Sequence, residues 1–591
     1  MPFENLVRKM RPTPTESGIP IKRAEFETLA AALDYAAKGK TGFNFFGPRG
    51  SLLKALPYQE LRQEARRWAR KLLALGLKRG ATVAILAHTR PFFVKLFFAC
   101  QYAGYVPVPL PLMLQLSSAE AYVKQLARLL KISRAEALFV PEEFLKFGQE
   151  AAKEARVPHF GTEETLEALP EKDAPLKPLG PDELAYIQFT SGSTKFPRGV
   201  LITQRALMHN LRLIAKYGVR RREGDRAVSW LPFYHDMGLV GLILAPLASQ
   251  VSVDFLSPKD FIMRPGLWLK LISEHRATIS FAPPFGYELA VLRLKEEDLE
   301  GLDLSCWRVA GVGAEMIRDS ILKNFADKFA RCGFDPKAFL PSYGMAECTL
   351  AVSFTPLGEG IKVDLVDREI LAREGRVAFC PSNSPQAKAL VRCGRPLPGL
   401  TVEIRDEVGR PLPEGRVGLL YVRGESVMAG YLGDEEATRE VLKDGWLNTG
   451  DLAYLHEGEL VITGRAKDLI IVHGKNVWPQ DLELVAERFE EVKTGNACAF
   501  AVPDEEGKDV PVLVVETRKL TAEEAKDLKE RLAAAVRREL GINCQVFLVP
   551  KNTIVKTTSG KPARSHTRRV CQEKGLLPLF FSSESRLKAA S

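Results

Sequence analysis

Five short stretches of this chain bring together hydroxyls, carboxylates, lysines and glycines in spacings that suit phosphate and acyl chemistry. The first is TSGSTKFPRG, from Thr190 to Gly199. Hydroxyls at Thr190, Ser191, Ser193 and Thr194 can donate to phosphate oxygens, as can backbone N–H groups that Gly192 and Gly199 leave accessible. Arg198 adds a fixed cation. The pattern G-x-x-x-x-G-K-[ST] cannot be laid over this loop, so it is not a Walker A loop. A Ser/Gly/Thr turn standing alone is usually only a turn. Its weight comes from the stretches that follow: SYGMAEC, Ser342 to Cys348; NTGDLAYL, Asn448 to Leu455; GRAKDLIIVHGKNVWPQDLE, Gly464 to Glu483; and KTTSGKPARS, Lys556 to Ser565.

In this order and spacing the five motifs resemble the adenylate-forming superfamily of acyl-CoA synthetases, luciferases and peptide-synthetase adenylation domains. Within it, SWLPFYHDMGLVG (Ser229 to Gly241), SYGMAECTLAVSF (Ser342 to Phe354) and KDLIIVHGKNVWPQDLE look like the fatty acyl-AMP ligases. The segment 353–379 sits where that family carries an insertion said to hinder the C-terminal domain from completing a CoA-accepting geometry. Two positions depart from the family pattern: Arg198 stands where Lys is usual, and Lys195 where a small residue is usual. Arg is a planar fork and Lys a point charge, so the phosphate geometry need not be the same.

The resemblance implies a reaction and a role for each residue. A carboxylate oxygen attacks the α-phosphate of ATP, pyrophosphate leaves, and the acyl-adenylate then passes its acyl group to a thiol. Catalysis of this kind rests on positioning and charge neutralisation. Tyr343 would stack on adenine, with Ser342, Gly344, Met345 and the backbone of Gly313, Ala314 and Glu315 around the base. Asp451 would accept from both ribose hydroxyls, with Arg465 beside it. Glu347 and Thr194 would hold Mg²⁺ with the phosphates, since this ion takes one or two carboxylates plus substrate oxygens. Lys561 would reach the carboxylate and α-phosphate as charge accumulates, and Lys467 would be the hinge that inserts and withdraws it. His235 would orient near the carboxylate. An apolar acid pocket is expected for a fatty acid, each buried CH₂ contributing ~0.8 kcal/mol; Trp230, Phe233, Met237, Phe281, Pro284 and Phe285 are its candidate walls. Against these roles stand ordinary ones: an aromatic run is more often core, and a packed, hydrogen-bonded histidine reads His235 nearly as well.

Positioning these groups requires a large α/β scaffold. Amphipathic helical stretches (Tyr58 to Leu75, Ala119 to Leu130) alternate with short β-rich runs (Thr82 to Leu86, Ala137 to Val140), which predicts parallel sheets. Residues 401–462 change to short strands with Gly and Pro turns, predicting an antiparallel β subdomain. The expected division is an N-terminal adenylate-forming domain, 1–465, and a mobile α+β C-terminal domain, 466–591, carrying the Lys561 loop. At 591 residues the chain exceeds one core.

Composition narrows the rest. With 46% hydrophobic and 26% charged residues, the chain is of ordinary globular type. No run approaches the ~20 apolar residues of a spanning helix, and the first residues lack a signal-peptide core. Nine scattered cysteines without a C-x-x-C pair read as reduced thiols of a cytoplasmic protein. Six of the cations behind the net charge of +10, Lys551, Lys556, Lys561, Arg564, Arg568 and Arg569, lie in one C-terminal stretch without a carboxylate. That stretch suits docking of an acidic acyl carrier protein, which the resemblance makes the thiol donor in trans; a solvated face reads it equally well. Two alternatives stand beside the carrier ligase: a fatty acyl-CoA synthetase, and an acyl-adenylate-binding protein of weakened activity, suggested by Lys195 and Arg198.

Overall fold

The computed structural model describes residues 11–112, 119–190, 197–472, 474–518, 520–556 and 562–579. Its largest sheet has nine strands. At the centre run parallel strands Phe339–Gly344, Val309–Val312, Ile279–Ala282, Arg226–Ser229, Ser252–Phe255 and Gly42–Phe46. The middle four are buried along their whole length, as expected for a parallel sheet covered on both faces. A second, fully parallel sheet orders Val106–Leu110, Thr82–Leu86, Ala137–Phe139 and His159–Gly161. The helix Tyr58–Leu73 packs by the face its sequence announces, burying Tyr58, Leu61, Ala65, Trp68 and Leu72.

The antiparallel subdomain comprises Thr401–Arg405, Gly418–Arg423, Leu442–Lys443, Trp446–His456 and Glu459–Arg465. After the helical turn Ala466–Asp468, a smaller α+β unit begins. It packs the helices Pro479–Ala486 and Ala522–Leu540 on a sheet of Ala497–Pro503, Asp509–Glu516 and Gln545–Val549. The long helix is closed at its start by a capping box between Thr521 and Glu524, a pairing legible in TAEE.

The segment 353–379, expected as an insertion, has other bounds in the structure. Ser353 and Phe354 lie in Ala351–Phe354, a strand of the large sheet that pairs with Phe339–Gly344 and with Arg395–Pro396. The chain therefore leaves the sheet after Phe354 and returns at Arg395. In between, Val363–Asp367 and Ala387–Val391 form a hairpin spanned by the helix Arg368–Glu374. The second strand was missed because AKALV is short and sits among polar residues. This hairpin grips the smaller unit. Lys388 pairs with Asp481 at 2.8 Å and lies 4.2 Å from the ring centre of Trp478, while Glu369 pairs with Lys475 at 2.5 Å. Burial lowers the pKa of Lys388, so its ammonium depends on Asp481. No helix among the described residues is long and apolar enough to cross a membrane.

Candidate functional site

The site forms where the central parallel strands end. Val312 pairs with Pro341, which sets Gly313 beside Ser342 one step beyond. A Cβ on Gly313 would lie 2.8 Å from the Ser342 hydroxyl, and one on Gly344 would lie 1.9 Å from the Leu350 carbonyl. Neither position accommodates a side chain, so the edge stays flat. Ala314, at φ +68°, turns the backbone in the left-handed region and leads into Glu315.

Tyr343 and Asp451 meet across two sheets. The Tyr343 hydroxyl donates to Asp451 Oδ2 at 2.6 Å, and Arg465 Nε donates to Oδ1 at 3.1 Å. Asp451 and Arg465 are directly opposed on neighbouring antiparallel strands, which explains how residues fourteen apart become a pair. Burial, then the Asp451 carboxylate, pushes the Tyr343 pKa well up, so the ring stays a neutral donor. With its hydroxyl anchored, the ring is held in one orientation. Met345 closes the turn by donating its N–H to Leu350.

Glu347 lies in the single helical turn Ala346–Cys348 and accepts from the Tyr431 hydroxyl at 2.9 Å. Burial raises its pKa, the largest effect; the Tyr431 bond works against it. A half-buried carboxylate whose pKa is raised in this way is favoured by a cation beside it. Arg198 lies 5.0 Å over the Tyr431 ring and 3.7 Å from Asp434, so Tyr431 and Arg198 join the glutamate to the neck of the Thr190 to Gly199 loop. The sequence reading missed Tyr431: a lone tyrosine in MAGYLGD carries no chemical signal by itself.

Of the phosphate loop, Thr190 donates its N–H to the Arg198 carbonyl at 3.0 Å, pinching the neck, and Gly199 opens the next strand. Ser191, Gly192, Ser193, Thr194 and Lys195 lie outside the described residues. The loop joins antiparallel strands Leu184–Phe189 and Gly199–Thr203, and the following helix starts only at Gln204, capped by Thr203. That helix's N-terminus is therefore spent on its own cap rather than on the loop. Lys561 also lies outside the described residues; its neck is marked by a bridge between Lys556 and Pro562.

His235 caps the short helix Asp236–Leu239, its Nδ1 3.3 Å from the Met237 N–H and 2.8 Å from Asp236 Oδ1. The structure thus gives it a positioning task in the turn that sets Met237 in the cavity wall described below. Lys467 is exposed between two anchors: Arg465 is tied to Asp451 in the large unit, and Asp468 to Arg564 of the small unit at 2.9 Å. Arg564 also binds Glu483 at 2.8 Å, which removes it from the expected basic surface, and Arg569 faces Glu573 at 3.7 Å. The carboxylates absent from the stretch itself are supplied by its own helix and its neighbours.

An apolar cavity opens beneath this edge. Met237, Gly241, Phe281, Leu350 and Phe354 line its near part, and Ile214 and Ala215 one flank. Two of the expected walls, Met237 and Phe281, are there. The other four are not among its lining residues. Trp230 stacks on Phe261 at 3.7 Å with Phe285 at its edge, Phe233 is enclosed by Phe93 and Phe255, and Pro284 is buried in the first turn of the helix Pro284–Arg293. Large aromatics found partners in the core, and the cavity survives where glycine and smaller residues stand. Two π-helical turns, Ile214–Gly218 and Val240–Leu244, flank it; their wider spiral pushes wall residues apart.

Known proteins share this fold. A solved structure from work on fatty acyl-adenylate ligases of E. coli and L. pneumophila matches with TM-score 0.90 and 45% identity, covering 94% of this chain and 100% of that one. A fatty acyl-adenylate ligase of L. pneumophila in complex with acyl adenylate and pyrophosphate matches with TM-score 0.72 and 28% identity, covering 94% and 98%. A Caulobacter vibrioides protein bearing the provisional name acyl-CoA synthetase is 45% identical over 94% of this chain and 97% of its own. The medium-chain fatty acid acyl-carrier-protein ligase JamA of Moorena producens is 32% identical over 97% and 99%. The family model for AMP-binding enzymes matches residues 49–432, and that for their C-terminal domain residues 474–569. The chain belongs to the AMP-binding enzyme family and is a ligase with the adenylate-forming fold.

Proposed function

We propose that this ligase activates a fatty acid with ATP as the acyl-adenylate, releasing pyrophosphate, and passes the acyl group to the phosphopantetheine thiol of an acyl carrier protein. The observation that carries the first half is the apolar cavity reaching Met237 and Leu350 beside the Asp451–Tyr343 and Glu347–Tyr431 pairs. Asp451 receives the ribose hydroxyls on lone pairs that Tyr343 and Arg465 leave open, and the anchored Tyr343 ring offers adenine a fixed face. Glu347 and Thr194 would hold Mg²⁺, which would neutralise phosphate charge. Lys561 meets the negative charge that develops between carboxylate and α-phosphate. Lys561→Ala should abolish acyl-adenylate formation while ATP binding persists, read by pyrophosphate exchange and by calorimetry; unchanged exchange removes the lysine from the mechanism.

The second half is supported by the hairpin clasp. Lys388–Asp481, Glu369–Lys475 and Arg368 donating to the Glu539 carbonyl at 3.1 Å hold the smaller unit to the larger. Such a clasp would hinder the swing that a CoA-accepting arrangement requires. The Caulobacter relative's provisional name favours the other reading, an acyl-CoA synthetase. Incubation with ATP, Mg²⁺ and a labelled acid, followed by CoA or holo-carrier protein, separates them. Acyl-adenylate that resists CoA and is discharged by the carrier supports the ligase; acyl-CoA makes the chain a synthetase. Replacing 363–391 by a short Gly-Ser link should then permit CoA acylation, and a folded variant without that gain refutes the clasp.

A further inference from the structure

The far end of the apolar cavity is polar in a way its walls do not explain. Its near part lies at the C-terminal ends of the central strands. The remaining lining residues lie at the opposite ends: Ala227 is second in Arg226–Ser229, Ile279 opens Ile279–Ala282, and Val251 precedes Ser252–Phe255. There Arg221 and Ser249 also line the cavity. Arg221 is 1% exposed and Ser249 3%. Among the described residues, Arg221 Nη1 and the Ser249 hydroxyl have no hydrogen-bond partner.

A structural task accounts for only part of this guanidinium. Arg221 Nε donates to the Ser249 carbonyl at 3.0 Å and Nη2 to the Gln250 carbonyl at 3.2 Å, closing the end of the helix Ala245–Ala248. Those bonds leave Nη1 unused. Among the described residues no carboxylate pairs with Arg221, and the nearby Asp225 is engaged by Arg308 at 2.5 Å. Asp225 and Glu223 act on Arg221 only from beyond ion-pair distance, and a buried cation without a direct pair and a buried hydroxyl without a partner are each costly, about 1–3 kcal/mol for an unmade hydrogen bond and more for a charge. The methyl end of a plain fatty acid would leave both groups unsatisfied; an oxygen at that end would satisfy them.

We propose that the acid this ligase activates carries an oxygen acceptor at the end of its chain remote from the reacting carboxyl, foremost a second carboxylate, received by Arg221 Nη1 and the Ser249 hydroxyl. This rests on the reading of the cavity as the acyl site. A guanidinium binds a carboxylate through charge-assisted bonds, stronger than those to a hydroxyl. The apolar walls between the two ends make the spacing a ruler: one chain length places both oxygens, and others do not. A site built to hydrogen-bond a substrate group discriminates strongly against the analogue that lacks it.

The test is pyrophosphate exchange by the full chain with saturated, ω-hydroxy and ω-carboxy acids of matched length, from six to sixteen carbons. At one or two lengths the ω-carboxy acid should exceed the plain acid by about tenfold or more in kcat/KM, with the ω-hydroxy acid between. Arg221→Met should invert that order while still accepting the plain acid. Should Arg221→Met not fold, Ser249→Ala should lower the ω-carboxy preference alone. Calorimetric titration of the same acids without ATP reads the far end independently of adenylation. If no acid is adenylated yet ω-carboxy acids bind tighter than plain ones, the ligase reading fails and this inference stands. Plain acids that match or exceed their ω-carboxy counterparts at every length, in turnover or in binding, overturn it.

Discussion

The proposed nucleotide edge and the proposed acyl cavity adjoin, yet they are built by opposite means. At the edge, function is carried by polar side chains that hold one another: Tyr343 on Asp451, Arg465 on Asp451, Tyr431 on Glu347. In the cavity, function is carried by what is missing, since Gly241 faces Leu350 and two helices widen into π turns. A polar constellation fails abruptly when one member is removed. A shaped void changes by degrees, as each methylene admitted or excluded contributes ~0.8 kcal/mol. Mutations in the two regions should therefore have different signatures.

The largest effect is expected at the edge. Asp451→Ala removes the two acceptors proposed for the ribose and takes the carboxylate partner from the Tyr343 hydroxyl; hydrogen bonds to a charged group contribute about 1.5–3 kcal/mol each, so kcat/KM for ATP in pyrophosphate exchange should fall by ~100-fold or more. A loss under threefold would mean that the pair does not face the nucleotide. An intermediate effect is expected in the cavity. A Cβ at Gly241 would stand 3.2 Å from the Leu350 side chain, so Gly241→Val should displace the chain-length optimum toward shorter acids, with ~4-fold loss per excluded carbon. An abrupt loss for all acids alike would break the contrast between the two regions.

The smallest effect tests the coupling between them. Burial raises the Glu347 pKa and the Tyr431 hydroxyl opposes that rise. Tyr431→Phe should raise it further, moving the acidic limb of the kcat/KM profile to higher pH by a few tenths of a unit and lowering activity about two- to threefold on that limb. The sign follows from the proposed role: Mg²⁺ would need the carboxylate, which is lost as pH falls through the raised pKa. For stability the direction is opposite. A carboxyl whose folded pKa is raised favours the fold while protonated, and this contribution is lost as pH rises through that value. Thermal melts of Glu347→Gln across the same range should flatten that dependence.

Much of this molecule was legible in its residues because the signals were local. Tyr58–Leu73 shows its buried face at helical spacing, Thr82–Leu86 its continuous apolar run, and Thr521 with Glu524 its capping box. The motif carboxylates Glu347 and Asp451 were singled out for the same reason: each stands in a short, chemically distinctive stretch. The pairing of Asp451 with Arg465 required only that two adjacent strands form a hairpin.

What the tertiary structure alone decided were relations between distant segments. Trp230 and Phe233 looked like pocket walls by residue type, yet the fold gave them to Phe261, Phe93 and Phe255. Arg564 looked like surface charge until Asp468 and Glu483 enclosed it. Ser353 looked like the start of an insertion until it paired with Tyr343 in the large sheet. The cavity draws on residues between Ile214 and Phe354, and no periodicity along the chain encodes a void. Residue type sets what a side chain can do; burial and neighbours, settled only when the chain closes on itself, decide which of those things it does.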